Sequence, residues 1–481
     1  MKFSDTSEWS PLAARDTPCP PGLRRDQRWW LLAACALRFF VGLVAYLLAW
    51  RAALSNPLPV LNSWLLAIDA TQYHVLAERM ATFWAGHSAA LSLGLPDKFL
   101  GYPVVLGWVY FLLGPHPLWG VLLNCLAFLG VGLLAYRLAL RLGHPPGLAL
   151  ALALLVALWP PSLSYSSALL KDSLNLLAVF LLLATLDDLL DPGKREGKAW
   201  ADGWAGLGLL LGAYGLVVLR PEFATVVAFV TLGAAAWSAL RGLSGRRGRP
   251  WRPLAAGLLV AMGIFLGISY SPVRLLPAQA PALSSAPSRS EQIPLGAVPA
   301  TLSRAATLPW SAQLTQQANA GLEQLWQRRW KYAQSGGVSL LPEAHVLPDG
   351  PEGLAVIVGA SLRNLLLYPL PWERWPSGGG QAIIGLAVTS QSLFWYALLP
   401  GLAWGLVEAL RRRSTACPPV VLWVAVVGSM LALMIVNMGT LYRIRDLALL
   451  PSLLLFSSAP YRWLCGKLLL RAGQGAPTSE V

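Results

Sequence analysis

Long apolar runs alternate with short polar connections along most of the 481 residues of this chain. Runs of about 17–25 apolar residues are typical of transmembrane helices, because a helix of about 20 residues crosses the hydrocarbon core. The twelve apolar runs lie near 29–50, 99–113, 117–141, 147–163, 173–190, 203–219, 222–240, 254–270, 353–370, 388–409, 419–437 and 446–462. This pattern predicts an all-α polytopic membrane protein without a separate soluble domain.

Basic residues decide which runs cross the membrane, because short cytoplasmic loops carry an excess of Lys and Arg. The basic clusters lie at 2–28, 137–141, 194–198, 241–252 and 411–413. They all fall on one side only if the runs 99–113 and 353–370 do not cross. We therefore predict about ten spans, with both termini in the cytoplasm and with 99–113 and 353–370 as re-entrant or interfacial helices.

The predicted fold is a bundle of about ten transmembrane helices, within a range of roughly 10–13, with juxtamembrane helices in its first external loop. Its predicted parts are a cytoplasmic tail (1–28), a transmembrane core (29–270) with the first external loop (51–116), a second external loop (271–387), C-terminal transmembrane helices (388–462) and a cytoplasmic tail (463–481).

Composition agrees with a bilayer environment, since 56% of the residues are hydrophobic and only 12% are charged. Soluble domains carry about 25% charged residues. The net charge of +14 would suggest nucleic acid as a partner of a soluble protein, but here the basic residues lie in short loops between apolar runs. No nucleic-acid motif is present, so we predict no nucleic-acid partner. The five cysteines fit neither a disulfide framework nor a metal site.

A polar stretch, "DATQYHVLAERM", follows the first apolar run and begins at Asp69. An acid followed three residues later by Gln is a variant of the capping box, so Asp69 as a simple helix cap is one interpretation. Helical spacing places Tyr73, Leu76 and Met80 near the face of Asp69, where they would suit the membrane surface. His74 lies off that face, four residues before Glu78, and is expected to pair with it.

The order of several motifs over about 29–240 resembles the GT-C glycosyltransferases, in particular the protein mannosyltransferase and aminoarabinose transferase group. These motifs are "D-x-x-x-Y-x-x-x-A" from Asp69, a basic residue before an aromatic–proline turn (Lys98 and Tyr102), the apolar pattern of 118–143, and a second acid, Asp172, in "WPPSLSYSSALLKDSLN". The later segment "YRIRDLALLP" adds weaker support.

The resemblance implies transfer of a sugar from a polyprenyl-phosphate donor to an extracytoplasmic acceptor, with inversion. The low cysteine use and the short loops favour an inner (plasma) membrane location. The resemblance makes Asp69 the base or the acceptor-orienting group, and it places Asp172 in the same cavity. A lipid-phosphate leaving group needs cations. The expected substrate-binding residues are Tyr73, Lys98, Tyr102, Lys171, Arg220, Arg443 and Arg445. No cofactor is certain, the metal is unknown, and a divalent cation held by the two acids stays an open alternative.

Several simpler interpretations stand beside this one. Asp172 would also serve as a helix N-cap, and Arg38, inside the first run, is expected to snorkel to the cytoplasm. The "DDLLD" stretch with Asp187 and Asp188 is expected to be a solvated helix end and not a prenyl-diphosphate motif. Two rival functions also remain. One is an O-antigen polymerase or ligase that uses late-loop arginines, and the other is a polytopic transporter of lipid or sugar, which would show broken spans.

Overall fold

The structure is a computed structural model, and it describes residues 25–52, 68–86, 101–190 except 168, 199–243, 251–269, 350–367, 379–412, 417–434 and 444–460, with the single positions 327, 370 and 441. These residues form helices and turns, and no strand occurs among them. The helices of this part are α1 (Arg25–Ala52), α2 (Ile68–Trp84), α3 (Gly101–Leu113), α4 (Pro117–Arg141), α5 (Pro146–Ala157), α6 (Pro160–Ser167), α7 (Asp172–Leu190), α8 (Ala199–Leu219), α9 (Phe223–Leu243), α10 (Trp251–Ser269), α11 (Gly350–Leu367), α12 (Gly379–Arg412), α13 (Cys417–Met434) and α14 (Asp446–Leu453).

Seven of the described helices are long and apolar enough to cross a membrane. The spans are Gln27–Leu47, Pro117–Arg141, Asp172–Leu190, Asp202–Leu219, Phe223–Leu240, Arg252–Ser269 and Thr389–Arg411. Their apolar side chains are exposed along one side of several helices, as lipid contact requires. The chain is therefore a polytopic helical membrane protein, although the predicted count of about ten spans is not confirmed.

Two predicted spans are interrupted where a continuous helix was expected. The run 147–163 divides into α5 and α6, since Pro160 and Pro161 lack the N–H that would continue the helix. In the run 446–462, the helix α14 has only eight residues and ends at Leu453. The run 419–437 corresponds to the single helix α13.

The runs 99–113 and 353–370, which were predicted not to cross the membrane, also form helices. Helix α3 has 13 residues, so it is about 20 Å long and shorter than the hydrocarbon core of about 30 Å. Helix α11 packs against α13, and its last carbonyls accept hydrogen bonds from the Trp395 indole (2.7 Å to Leu366) and the Tyr396 hydroxyl. Whether α11 crosses the membrane stays a prediction. The tails 1–24 and 463–481 and most of the second external loop lie outside the described residues.

Ion pairs join several helices at one end of the bundle, here named the Asp188 end. Arg141, at the end of α4, contacts Asp188 of α7 at 2.7 Å, and Arg137 pairs with the same carboxylate. At the starts of α10 and α8, Arg252 contacts Asp202 at 3.0 Å. The parity of the spans places these four helix ends on one side of the membrane. The opposite end, where α7 begins, is named the Asp172 end.

The prediction of a solvated helix end at "DDLLD" is wrong for its first two acids. Asp187 and Asp188 are buried, and Arg141 reaches both carboxylates, at 3.8 Å and 2.7 Å. The sequence prediction failed because the pairing arginines belong to another helix, α4. The third acid of the motif, at position 191, lies outside the described residues.

The turn after helix α14 packs against the C-terminal half of α12. The Ser457 amide donates to the Gly401 carbonyl at 2.9 Å, and the Ser457 hydroxyl donates to Glu408 at 2.9 Å. A Cβ at Gly405 would overlap the backbone of Leu455, so only glycine permits this approach. His144, just after α4, donates to the Leu454 carbonyl at 2.7 Å. The C-terminal part of α12 therefore lies toward the Asp188 end.

Helices α2 and α3 form a cap on the Asp172 end. A small core joins them to α4, to the chain before α7 and to the end of α8. Gly101, the first residue of α3, lies so close to α8 that a Cβ would overlap the Val218 carbonyl oxygen. The cap is thus fixed to the bundle through backbone contact as well as through side chains.

Single cysteines at Pro115 and Arg411, in a chain freed of its native cysteines, test this arrangement. Both positions are exposed, Pro115 at the Asp172 end and Arg411 at the Asp188 end. We expect a membrane-impermeant maleimide to label the two positions from opposite faces of sealed vesicles. Labelling of both from one face, with full labelling of both after detergent is added, would contradict the arrangement of α4 and α12.

Candidate functional site

Six charged side chains are buried close to one another, toward the Asp172 end. Together they are named the buried charge cluster, and they are Arg38, Lys171, Asp172, Arg220, Arg445 and Asp446. Each is less than a tenth exposed. Ionisable residues within membrane helices are costly and mark functional sites by default. We therefore treat this cluster as the candidate site.

Arg38 lies at the centre of the break between α5 and α6. The prediction that its side chain snorkels to the cytoplasm is therefore wrong. Its side chain is only 1% exposed. Its guanidinium donates to the Ala157 carbonyl, to the Ser162 carbonyl and hydroxyl (2.8 and 2.6 Å) and to the Ser166 hydroxyl (2.8 Å). It also stacks 3.6 Å from the centre of the Phe128 ring. Backbone acceptors exposed by the helix break thus provide a stronger attraction than the membrane surface.

Asp172 and Arg220 form a buried ion pair between the start of α7 and the end of α8. The Arg220 guanidinium contacts the Asp172 carboxylate at 3.0 Å and the Glu222 carboxylate at 3.5 Å. The Glu222 side chain is 45% exposed, so Arg220 links the buried site to the surface. The Lys171 ammonium donates to the Leu219 carbonyl at 3.1 Å. Arg220 and Lys171 therefore both bring positive charge to the Asp172 end.

Asp446, at the start of α14, completes the cluster. It is 2% exposed, and among the described residues neither of its carboxylate oxygens has a hydrogen-bond partner. The charges of Arg445, Asp172 and Arg38 all act on it. Asp446 and Asp172 share a cavity of about 10 Å³ with the Ser162 and Ser173 side chains, which is close to the room that one water needs.

Aromatic residues of the cap approach the cluster from outside. The Tyr73 ring of α2 packs on the Tyr102 ring of α3, with centroids 5.4 Å apart, and the Tyr102 hydroxyl donates to Asn124 at 3.3 Å. Burial raises the pKa of Tyr102, and the charge of Asp172 adds to this effect. Tyr102 is therefore a neutral hydrogen-bond donor next to the candidate site.

Two expectations about helix α2 are wrong. Tyr73, Leu76 and Met80 are buried against the protein and do not lie on the membrane surface, because α3 covers that face. The His74 ring does not pair with Glu78; its Nδ1 lies 2.8 Å from the Tyr110 hydroxyl. Burial lowers the pKa of His74, while the charge of Glu78 acts in the opposite direction.

The structure brings together part of the predicted site. Asp172, Lys171 and Arg220 lie at the Asp172 end, Arg445 is buried beside Asp446, and Tyr73 and Tyr102 pack together in the cap. Asp69 lies in the first turn of α2, but its side chain is outside the described part of the chain. Lys98 and Arg443 are outside the described residues altogether. Their predicted roles stay predictions.

Sequence reasoning missed Asp446 and misjudged Arg38. Both carried a visible signal, since each is a charged residue within or at the start of an apolar run. Asp446 directly follows Arg445, which suggests local pairing, and its proximity to Asp172 depends on how α14 packs against α7. The partners of Arg38 are 119 to 128 residues away in the chain, so spacing rules do not reveal them.

The cluster suits an anion better than a metal ion. Four cations face two carboxylates, an excess of two positive charges within a region of low dielectric. One carboxylate, Asp172, already holds an arginine. Among the described residues, no group of three or more His, Cys, Asp or Glu side chains is placed to hold a metal. A phosphate group near Arg220 and Lys171 would offset the excess positive charge.

Comparison with known proteins adds no relative: no family model, no curated protein and no solved structure matches the chain.

Replacement of Arg38 by Met tests its role at the helix break. Methionine fills a similar volume but leaves the Ala157 and Ser162 carbonyls without this donor. Each buried acceptor without a partner costs about 1–3 kcal/mol. We expect a clear fall in the melting temperature of the purified protein in detergent.

Arg137→Met is the matched control. Arg137 is 42% exposed, and its partner Asp188 also contacts Arg141. Because Arg137 is partly solvated and Arg141 remains to pair with the buried Asp188, we expect this substitution to cost about 1 kcal/mol or less. Equal destabilisation by the two substitutions would contradict a special role for Arg38.

The cap is expected to loosen in acid through His74. Because burial lowers its pKa in the folded protein, the unfolded chain binds the proton more tightly. The folded state therefore loses stability as the pH falls through the unfolded value of about 6.5. The protection factors of the α2 amides, which correct for the intrinsic pH dependence of hydrogen exchange, should fall between about pH 7 and pH 5.5 in the wild type. In His74→Gln this fall should be absent; if it persists, another group is responsible.

Proposed function

We propose that the protein is a membrane glycosyltransferase that transfers a sugar from a polyprenyl-phosphate donor to an extracytoplasmic acceptor, with inversion. The observation that carries this proposal is the excess of buried positive charge beside two carboxylates, under an aromatic cap at one end of a helical membrane bundle. The acceptor is a glycolipid, a polysaccharide or a protein. The ordered motifs that resemble GT-C enzymes support the same reaction class.

The cations suit the leaving group of this reaction. When the sugar C1–O bond breaks, the lipid phosphate gains negative charge, and positioned cations stabilise that charge without an acid catalyst. Arg220 meets this need best, because it reaches from the buried Asp172 to the exposed Glu222. Lys171 lies next to Asp172 in the chain and supports the same location. Lys98 and Arg443 are proposed to add further contacts.

The two proposed acids have different tasks. Asp172 holds Arg220 at 3.0 Å, so it acts as a positioning residue for the phosphate-binding arginine. Asp69 lies in the first turn of the cap helix α2, one turn before Tyr73, and it is proposed to accept the proton of the acceptor hydroxyl or to orient that hydroxyl. Tyr73 and Tyr102 are at most 1% exposed, so they are proposed to hold the cap in place beside the substrate and not to form a free surface for it. A divalent cation is not needed for this division of tasks.

We place the site on the extracytoplasmic face of the inner (plasma) membrane. The basic clusters at 137–141 and 241–252 belong to the Asp188 end, and the positive-inside rule makes that end cytoplasmic. The Asp172 end, with the cap, then faces outward. A lipid-linked donor reaches this end laterally from the outer leaflet.

A transporter of lipid-linked sugars is the second candidate, and one observation favours it. Helices α5 and α6 form a broken membrane helix whose backbone carbonyls bind the buried Arg38, and transporters bind substrates at such breaks. The polymerase or ligase alternative depends on arginines of the second external loop, at positions 274, 289, 304, 328 and 329, which lie outside the described residues.

Asp69→Asn is the decisive variant for the transferase. The purified wild type, supplied with a panel of radiolabelled polyprenyl-phosphate sugars, should transfer or hydrolyse at least one of them. Loss of a positioned base should lower kcat/KM by about 10²–10⁴-fold without impairing membrane insertion. Glu78→Gln, an equivalent amide change on the exposed side of the same helix, should retain activity.

Near-normal activity of Asp69→Asn would exclude Asp69 as the base. The transporter is tested in proteoliposomes with a fluorescent polyprenyl-phosphate sugar. If the wild type moves this lipid between leaflets and transfers no sugar from any donor of the panel, the transferase proposal is overturned.

A further inference from the structure

Asp446 is a deeply buried carboxylate whose charge is not balanced by a direct ion pair among the described residues. It lies at the start of α14, and the proposed transfer reaction gives it no task. Neither oxygen has a hydrogen-bond partner among the described residues. The Trp159 indole lies beside the carboxylate but forms no hydrogen bond of ordinary geometry with it. A buried carboxylate without hydrogen bonds is costly when ionised.

Among the described residues, few charged groups lie around Asp446. Asp172 faces it from α7, Arg38 acts from α1, and Arg445 precedes it in the chain. Helices α5 and α13, which also pack near α14, contain no Asp, Glu, Lys, Arg or His. Arg38 already donates to the Ala157 carbonyl and to Ser162 and Ser166. Its charge therefore acts on Asp446 without a direct hydrogen bond.

The two carboxylates that share the cavity have unequal environments. Asp172 contacts the Arg220 guanidinium at 3.0 Å, which stabilises its ionised form. Asp446 lacks such a contact and also experiences the negative charge of Asp172. When the environments of two neighbouring acids differ in this way, one remains ionised and the other exchanges the proton. These unequal environments favour Asp446 as the member of the pair that exchanges a proton.

We propose that Asp446 takes up a proton when the phosphate of an anionic ligand binds beside Arg220 and Lys171 at the Asp172 end. The inference rests on the proposed function, in that the ligand is the phosphodiester of a polyprenyl-phosphate sugar. Its negative charge would lie near Arg220 and Lys171 and would disfavour a second anion nearby. The proton comes from water, and no covalent bond changes. Because linkage is reciprocal, protonation of Asp446 strengthens ligand binding by the same factor.

Two probes with a fixed single charge test the proposal, because a phosphate monoester would itself titrate near neutral pH. One probe is polyprenyl-phosphoglucose, and the other is dimethyl phosphate, which lacks the lipid. Calorimetry in buffers of different ionisation enthalpy measures the protons taken up on binding. In the wild type we expect net proton uptake, with a Kd that rises by up to about tenfold per pH unit as the pH increases.

Asp446→Asn should bind the lipid probe without proton uptake and without this pH dependence. Asp202→Asn, an identical change at the Asp188 end, should behave like the wild type. Binding of the lipid probe but not of dimethyl phosphate identifies the lipid-linked source; equal binding of both identifies a free phosphate site. Proton uptake that is absent from the wild type, or that persists in Asp446→Asn, overturns the proposal.

Infrared difference spectra of the ligand-free protein separate this inference from the proposed function. Between neutral and acidic pH, the wild type and Asp202→Asn should gain the carbonyl band of a protonated carboxylic acid, and Asp446→Asn should lack that band. The band supports a proton site at Asp446 even if neither probe binds, a result that would overturn the ligand linkage. If Asp446→Asn does not fold, Asp446→Glu should shift the band; an unshifted band overturns the assignment.

Discussion

The hydrogen bonds of the Arg38 guanidinium are the interaction on which the site depends. The prolines at 160 and 161 interrupt a helix inside the membrane, where no water is present to satisfy free carbonyls. Arg38 supplies those donors from α1, to the Ala157 and Ser162 carbonyls. The fixed break sets the path of α6 and thereby the place where α7 begins with Asp172. A cation needed by the backbone thus also becomes part of the charge environment of the site.

This double use explains why the cluster contains more cations than carboxylates. Arg38 serves the helix break, and Arg220 and Lys171 lie at the end of the bundle, where Leu219 and Glu222 accept their hydrogen bonds. Only Asp172 and Asp446 are buried acids of the cluster. A bundle stabilised by charge pairing alone would approach neutrality, because unpaired buried charge is costly. The excess of positive charge that remains beside these contacts supports the proposal of an anionic ligand.

The sequence predicted the long spans well, because hydropathy is a local property: seven of the predicted runs correspond to helices that can cross a membrane. It also placed Asp172, Lys171 and Arg220 at one end. The breaks were missed, since the residues around 147–163 are uniformly apolar and their average hides the two prolines. Arg38, Asp187 and Asp188 were misjudged because their partners lie on other helices. Asp446 was overlooked because its environment arises only when α14 packs against α7.

The packing of the cap, formed by α2 and α3, favours a transferase over a transporter. A transporter must open its site to both faces, so the elements that cover one end must separate from the bundle. Here α3 begins at Gly101 in backbone contact with the Val218 carbonyl, and the Tyr73 and Tyr102 rings extend the same packed core. Lifting this cap would expose apolar surface and the Tyr102–Asn124 hydrogen bond together. A fixed cap suits a transferase, since that reaction needs lateral entry of a lipid and stable positioning of an acceptor.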